Sequence, residues 1–230
     1  DTSAYYTRGL AYSELKQYEF AIADFDKIIE LSPQDASAYH NRGLTYYNLK
    51  QYQRAIEDFA TVIDMNPRDA SAYGARGLVY VDLQQHGQGI EDYDRAIELD
   101  SEYAFAFNNR GVAYHGLRKH KRAIEDFDRA IELSPQDPSV FCNRGSAYHG
   151  LKQYKRAMKD YDKAIELNPQ IAVAYLKRGD AYVGLREEQR AIKNYDMAIE
   201  LDPEDPWAYA MRGLVYLGQS QSERAIKDFD

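Results

Sequence analysis

Cysteine is almost missing from these 230 residues. Cys142 stands alone, so no intramolecular disulfide can close and no second thiolate is at hand for a metal site. Tryptophan is equally scarce, with Trp207 the single copy. Basic residues are outnumbered, 29 Lys and Arg against 37 Asp and Glu. The resulting formal net charge of -8 argues against a nucleic-acid surface, which gathers positive charge to displace counter-ions. There is no long uncharged apolar run and no basic-then-apolar leader, so neither a membrane span nor secretion is expected, and the cytoplasm is the expected location. Packing alone must hold the fold. What the chain has in excess is tyrosine, 21 copies.

The tyrosines follow a period. The pair Arg-Gly recurs at 8–9, 42–43, 76–77, 110–111, 144–145, 178–179 and 212–213, always 34 residues apart. With that glycine as position 8, the repeats run 2–35, 36–69, 70–103, 104–137, 138–171, 172–205 and a partial 206–230. Aromatics then fall in three columns at positions 4, 11 and 24, which hold 15 of the 21 tyrosines and place them between helices. Position 14 is mostly Leu and position 20 mostly Ala. Spacings of 4, 7, 8, 11 and 14 mark one face of a helix, as do 20, 21, 24, 27, 28 and 31, so each repeat is expected to be two helices. Asp1, Asp35, Asp69, Asp137 and Asp205 stand where an N-cap is needed, and prolines at position 32 stop the second helix. Only three or four residues separate the helices, which forces an antiparallel hairpin. Gly89, at position 20, reads as a loosening of the third hairpin.

These residues resemble the tetratricopeptide repeat: an aromatic at position 4, Gly at 8, Tyr at 11, Ala at 20, Phe or Tyr at 24 and Pro at 32, over essentially the whole chain. The main departure is Arg at position 7, usually Leu in the family. The resemblance implies an all-α fold, a single right-handed superhelical solenoid over 1–230 whose first helices line a concave groove. It also implies a non-enzymatic scaffold that binds an extended peptide of partner proteins, with no cofactor, no metal and no nucleic acid.

By the geometry of the family, positions 2, 5, 6, 9, 12 and 13 face the groove, and these are the ones that vary here. The groove candidates are Asn41, Tyr47, Asn109, His115, Asn143, His149, Lys177 and Asp180. An Asn amide both donates and accepts, so a column of them suits a peptide backbone; Asn41, Asn109 and Asn143 resemble the asparagine ladder of peptide-binding family members. Repeats about 10 Å apart match about three residues of extended peptide. The family's carboxylate clamp for acidic tails is matched only at Asn143 and Lys177. Cys142 also falls on a groove position, but ligands on neighbouring helices are too far apart to converge on a metal. Arg at position 7 pairs naturally with the acid at position 23: Asp24, Asp58, Asp92, Asp126, Asp160 and Asp228, with Asn194 as substitute. The remaining acids, position 25 included, read as an outer, solubilising surface. Self-association through the solenoid ends is the alternative function.

Overall fold

The computed structural model describes residues 2–230; Asp1, expected to cap the first helix, lies outside them. Among the described residues there are fourteen α-helices and no strand. They are α1 (Thr2–Glu14), α2 (Tyr18–Leu31), α3 (Ala36–Asn48), α4 (Tyr52–Met65), α5 (Ala70–Asp82), α6 (His86–Leu99), α7 (Ala104–Gly116), α8 (His120–Leu133), α9 (Pro138–Gly150), α10 (Tyr154–Leu167), α11 (Ala172–Gly184), α12 (Glu188–Leu201), α13 (Pro206–Gly218) and α14 (Ser222–Phe229). The chain divides into two compact units, Asp1–Ala113 and Tyr114–Asp230. In the first unit, α1 through α6 pack pairwise as successive hairpins, and α3 also touches α1 and α5. In the second, α8 through α14 do the same, and α11 touches α9 and α13. In both units, therefore, first helices lie beside first helices.

Local chemistry sets these boundaries. Asp35, Asp69, Asp137 and Asp205 each accept a backbone N–H from the first turn of the following helix, at 2.9–3.1 Å. The turn inside each hairpin puts a non-glycine residue in the left-handed region: Lys16, Lys50, Gln84, Arg118, Lys152, Arg186 and Ser220, at φ 57–61°. That conformation costs about 1–2 kcal/mol without glycine. Two backbone bonds offset it in the first repeat, Lys16 N–H to Ser13 C=O at 3.0 Å and Gln17 N–H to Tyr12 C=O at 2.8 Å, and the same pattern recurs at Lys50 and Lys152.

The core is one large ring per repeat set among small residues. Phe25, Phe59, Tyr93, Phe127 and Tyr161 at position 24 are fully buried, and so are the alanines at position 20 and, from the second repeat onward, those at position 3. The rings lie on the position-8 glycine of their own hairpin at Gly9, Gly43, Gly77, Gly145, Gly179 and Gly213: a Cβ on Gly179 would meet Tyr195 Cε1 at 2.5 Å, and one on Gly145 would meet Tyr161 Cε1 at 2.6 Å. Position 14 is not part of this core. Leu15 is exposed, as are Leu83 and Leu117, because the residue follows the last turn of the helix. Positions 3 and 10 take its place, as at Ala38, Ala72, Thr45 and Val79. The third hairpin is not loosened at Gly89 either. Val81 fills the space of the missing methyl, and a Cβ there would lie 2.6 Å from Val81 Cγ2.

Only the position-24 aromatics are fully internal. Those at positions 4 and 11 flank the position-7 arginine, with Arg42 over the rings of Tyr39 and Tyr46 at 5.3 and 5.8 Å and Arg144 over Phe141 and Tyr148 at 5.7 and 5.9 Å. The arginine pairs with the position-23 carboxylate of its own hairpin through two bonds of 2.6–2.9 Å at Arg8, Arg42, Arg76, Arg144 and Arg212. Asn194 accepts from Arg178 in the same place. The acids at position 25 are more than a solubilising surface. Asp26 bonds Arg42 of the next repeat, and Asp94, Asp128, Asp162 and Asp196 bond Arg110, Arg144, Arg178 and Arg212 likewise, at 2.6–2.7 Å. Each of these arginines fastens its hairpin to the preceding one. Arg76 has no such second acid, because Ala60 occupies that position.

Candidate functional site: the first-helix face

In the second unit, α9, α11 and α13 lie side by side, and positions 6, 9, 12 and 13 of these helices surround an open cleft of about 440 Å³. Its walls are Val183, Met211, Leu214 and Val215, with the rings of Tyr154 and Tyr195; His149 and Asp180 are its polar groups, and Arg186 and Glu188 are exposed at its edge. Val183, Leu214 and neighbouring Leu217 are 41–54% exposed. Apolar side chains are thus presented to solvent together on this face, although Phe20, Leu31 and Met197 on second helices are exposed as well.

The sequence-derived candidates meet different fates on this face. Asp180 and His149 enter the cleft together. Asp180 Oδ1 accepts from the Tyr195 hydroxyl at 3.0 Å, while the Lys177 ammonium stands 3.8 Å from Oδ2. Burial pushes the Asp180 carboxyl above the usual carboxylate range, against the opposing pull of Lys177. The His149 ring meets Tyr154 edge to face at 5.2 Å, and the Tyr154 ring covers Gly184 of the next repeat, where a Cβ would lie 2.5 Å from it. His120 covers Gly150 in the same way, and His115 Nδ1 lies 3.2 Å from His120 Nδ1, one ring donating and the other accepting. Burial first, then His120, lowers the His115 imidazole below its ordinary pKa. Asn143 and Lys177 are half-buried on α9 and α11.

In the first unit, Asn41 donates both amide hydrogens inside the protein, to the Tyr6 hydroxyl at 2.9 Å and to the Ser37 carbonyl at 2.8 Å. Tyr47 donates to Asp82 of the next repeat at 2.7 Å. Both therefore stitch neighbouring repeats together. Asn109 spends one amide hydrogen on the Phe105 carbonyl at 2.8 Å. Cys142 is not on the open face: it is buried among Phe141, Ala164 and Ala174, and burial pushes its thiol up to about 12. Trp207 is 65% exposed. Among the described residues no three His, Cys, Asp or Glu side chains converge as metal ligands, and no helix is long and apolar enough to cross a membrane.

Of the apolar cleft walls, Met211 and Leu214 fall on the expected groove positions 6 and 9 without being among the candidates, and Val215, at position 10, lies outside those positions. Their one available signal was that polar groups vanish from positions 6, 9 and 12 in the last repeat.

Helical hairpins repeated at 34 residues, with one face of first helices left open, define an α-helical repeat protein. The family model for the tetratricopeptide repeat matches residues 2–35, 36–69, 104–137 and 138–171, and a second TPR repeat model matches 77–117 and 189–220. The chain belongs to the tetratricopeptide repeat family, whose repeats generally serve as non-catalytic scaffolds for protein–protein interaction. No curated protein sequence matches the chain. A tetratricopeptide repeat protein from Parabacteroides merdae has a similar structure, with a TM-score of 0.81 at 18% identity over 99% of this chain and 90% of that one. The Cut9–Hcn1 structure of the APC/C gives 0.84 at 18% identity, covering 94% of this chain and 43% of the other. YrrB, described as a TPR protein with an unusual peptide-binding site, gives 0.60 at 23% identity, covering 80% and 95%.

Proposed function

We propose that the chain is a non-enzymatic scaffold whose first-helix face binds an extended segment of a partner protein. The observation that carries this reading is the cleft between α9, α11 and α13, which leaves Val183 and Leu214 open to solvent beside His149 and Asp180. An extended segment gains apolar contact there while its backbone meets the polar groups at position 6 of the same unit, Asn143 and Lys177. YrrB, with its peptide-binding site, supports such a use of this fold. Asn41 and Tyr47, both engaged by neighbouring repeats, serve the groove as fixed wall rather than as donors.

The test compares captured partners. Val183→Glu with Leu214→Glu places two carboxylates in the cleft, whereas Glu132→Lys changes an exposed second helix. Proteins captured by the wild type and by Glu132→Lys, and lost with the cleft variant at unchanged helicity, support the reading. Unchanged capture by the cleft variant refutes it.

A further inference from the structure

Position 9, seen beside position 24, separates a structural need from something additional. Where position 24 is Phe, position 9 is apolar, as in Leu10 with Phe25, Leu44 with Phe59 and Leu214 with Phe229. A buried Tyr hydroxyl at position 24 calls for a partner, and while repeat three leaves Tyr93 without one beside Leu78, the next two tyrosines have theirs at position 9. Ser146 partners Tyr161, and Asp180 partners Tyr195. A neutral hydroxyl thus satisfies this need in one repeat, and the next supplies a charge instead. Asp180 uses only Oδ1 for it. Its Oδ2 has the Lys177 ammonium at 3.8 Å, outside hydrogen-bonding distance, and Lys177 itself is 43% exposed. Around this carboxylate stand Val183, Met211 and Leu214.

We infer that this cleft selects a lysine or arginine side chain of the bound segment, its aliphatic stem against Val183, Met211 and Leu214 and its cationic head on Asp180 Oδ2. The inference rests on the peptide-groove reading and names the residue class that groove takes at this point. Long basic side chains combine an apolar stem with a charged tip, which is the chemistry of a cleft with apolar walls and one carboxylate. A neutral apolar side chain would strip water from Asp180 without replacing it, and an acidic one would meet like charge. The other charged and titratable groups facing Asp180 are Lys177 and His149, while Arg186 and Glu188 offset each other at the cleft edge. Asp180 is penalised by burial, and its ion pair with Lys177 at 3.8 Å offsets this only in part, so a closer counter-ion on Oδ2 relieves it further.

The probes are N-acetyl-arginine N-methylamide and its norleucine counterpart, titrated at millimolar concentration into the full ¹⁵N-labelled chain. The arginine compound should shift the amide resonances of Asp180, Val183 and Leu214, and Asp180→Asn should weaken it at least about tenfold. The norleucine compound should bind the wild type more weakly than the arginine compound does and should gain, not lose, affinity on Asp180→Asn. Asp180→Asn keeps an acceptor for Tyr195, and Asp180→Ser reproduces the Ser146 pairing, so loss of fold is not confused with loss of charge. Arginine binding no tighter than norleucine, or equal binding to the Asn and Ser variants, overturns the inference. Partner capture that is lost with Val183→Glu/Leu214→Glu but survives Asp180→Asn leaves groove binding standing and refutes the basic-residue selection alone.

Discussion

Removing the position-23 carboxylate should cost more in repeat three than in repeat five, although the two ion pairs look alike. Arg76 and Asp92 are 21% and 9% exposed and bonded at 2.9 and 2.7 Å; Arg144 and Asp160 are 20% and 7% exposed and bonded at 2.9 and 2.6 Å. The difference is the second acid. Asp128 reaches Arg144 from the preceding repeat at 2.7 Å, whereas Arg76 faces Ala60 there. Asp160→Ala therefore deletes charge-assisted bonds from an arginine that keeps a counter-ion, a loss of about 1.5–3 kcal/mol. Asp92→Ala leaves a largely buried guanidinium with no carboxylate, worth about 3–5 kcal/mol. Repeat arrays do not unfold strictly as one unit, so the readout is local: the opening free energy of amide protons in α6 and α10 by hydrogen exchange, beside urea midpoints by circular dichroism. Ala60→Asp should restore part of the loss in the Asp92→Ala background, because Asp26 already pairs with Arg42 from the equivalent position. If Asp92→Ala costs no more than Asp160→Ala, or Ala60→Asp rescues nothing, the bridging acids do not couple hairpins and the reasoning fails.

Asp180 has a folded-state pKa above its unfolded value, so the folded chain holds that proton to higher pH and the group's contribution to stability falls as pH rises through this window. Asp180→Asn should accordingly raise the melting temperature at neutral pH and leave it unchanged in acid; an equal shift at both would assign the effect to packing. The Tyr93 hydroxyl is buried without a hydrogen-bond partner, and position 9 of its repeat is Leu78. Tyr93→Phe should stabilise by about 1–2 kcal/mol in denaturant unfolding, and a loss of stability would show that the hydroxyl is satisfied. Gly87 has open space around its Cα, so Gly87→Ala in α6 should gain up to about 1 kcal/mol from helix propensity. Gly179→Ala should instead lower the midpoint clearly by pushing Tyr195 out of place, and the same sign of effect at both glycines would contradict the packing described.

The repeat frame was readable because the packing constraint is local and recurs. A position-8 glycine paired with a position-24 aromatic recurs in every hairpin, and an arginine facing a carboxylate sixteen residues on recurs in all but the sixth, where Asn194 stands in. Periodicity failed where chemistry was quiet or shared. Alanines at position 3 carry too little hydrophobicity to announce a buried column, yet Ala38, Ala72 and Ala174 are fully buried, while leucine at position 14 advertises a burial that Leu15 does not have. The acids at position 25 looked like solvent-facing charge because their arginine belongs to the following repeat. The same limit governs the candidate site. A polar residue at a variable position can serve a ligand or a neighbouring repeat, and its identity alone does not say which. Asn41 and Tyr47 turn out to be committed to Tyr6 and Asp82, and position-17 aromatics such as Tyr154 to a glycine of the next repeat. Asp180 gives one oxygen to Tyr195 and keeps a charge that Tyr195 does not need, paired at 3.8 Å with the half-exposed Lys177. Variation against a fixed frame therefore points to recognition only after the internal partners are subtracted, and for the proposed peptide contact that subtraction leaves the cleft between α11 and α13.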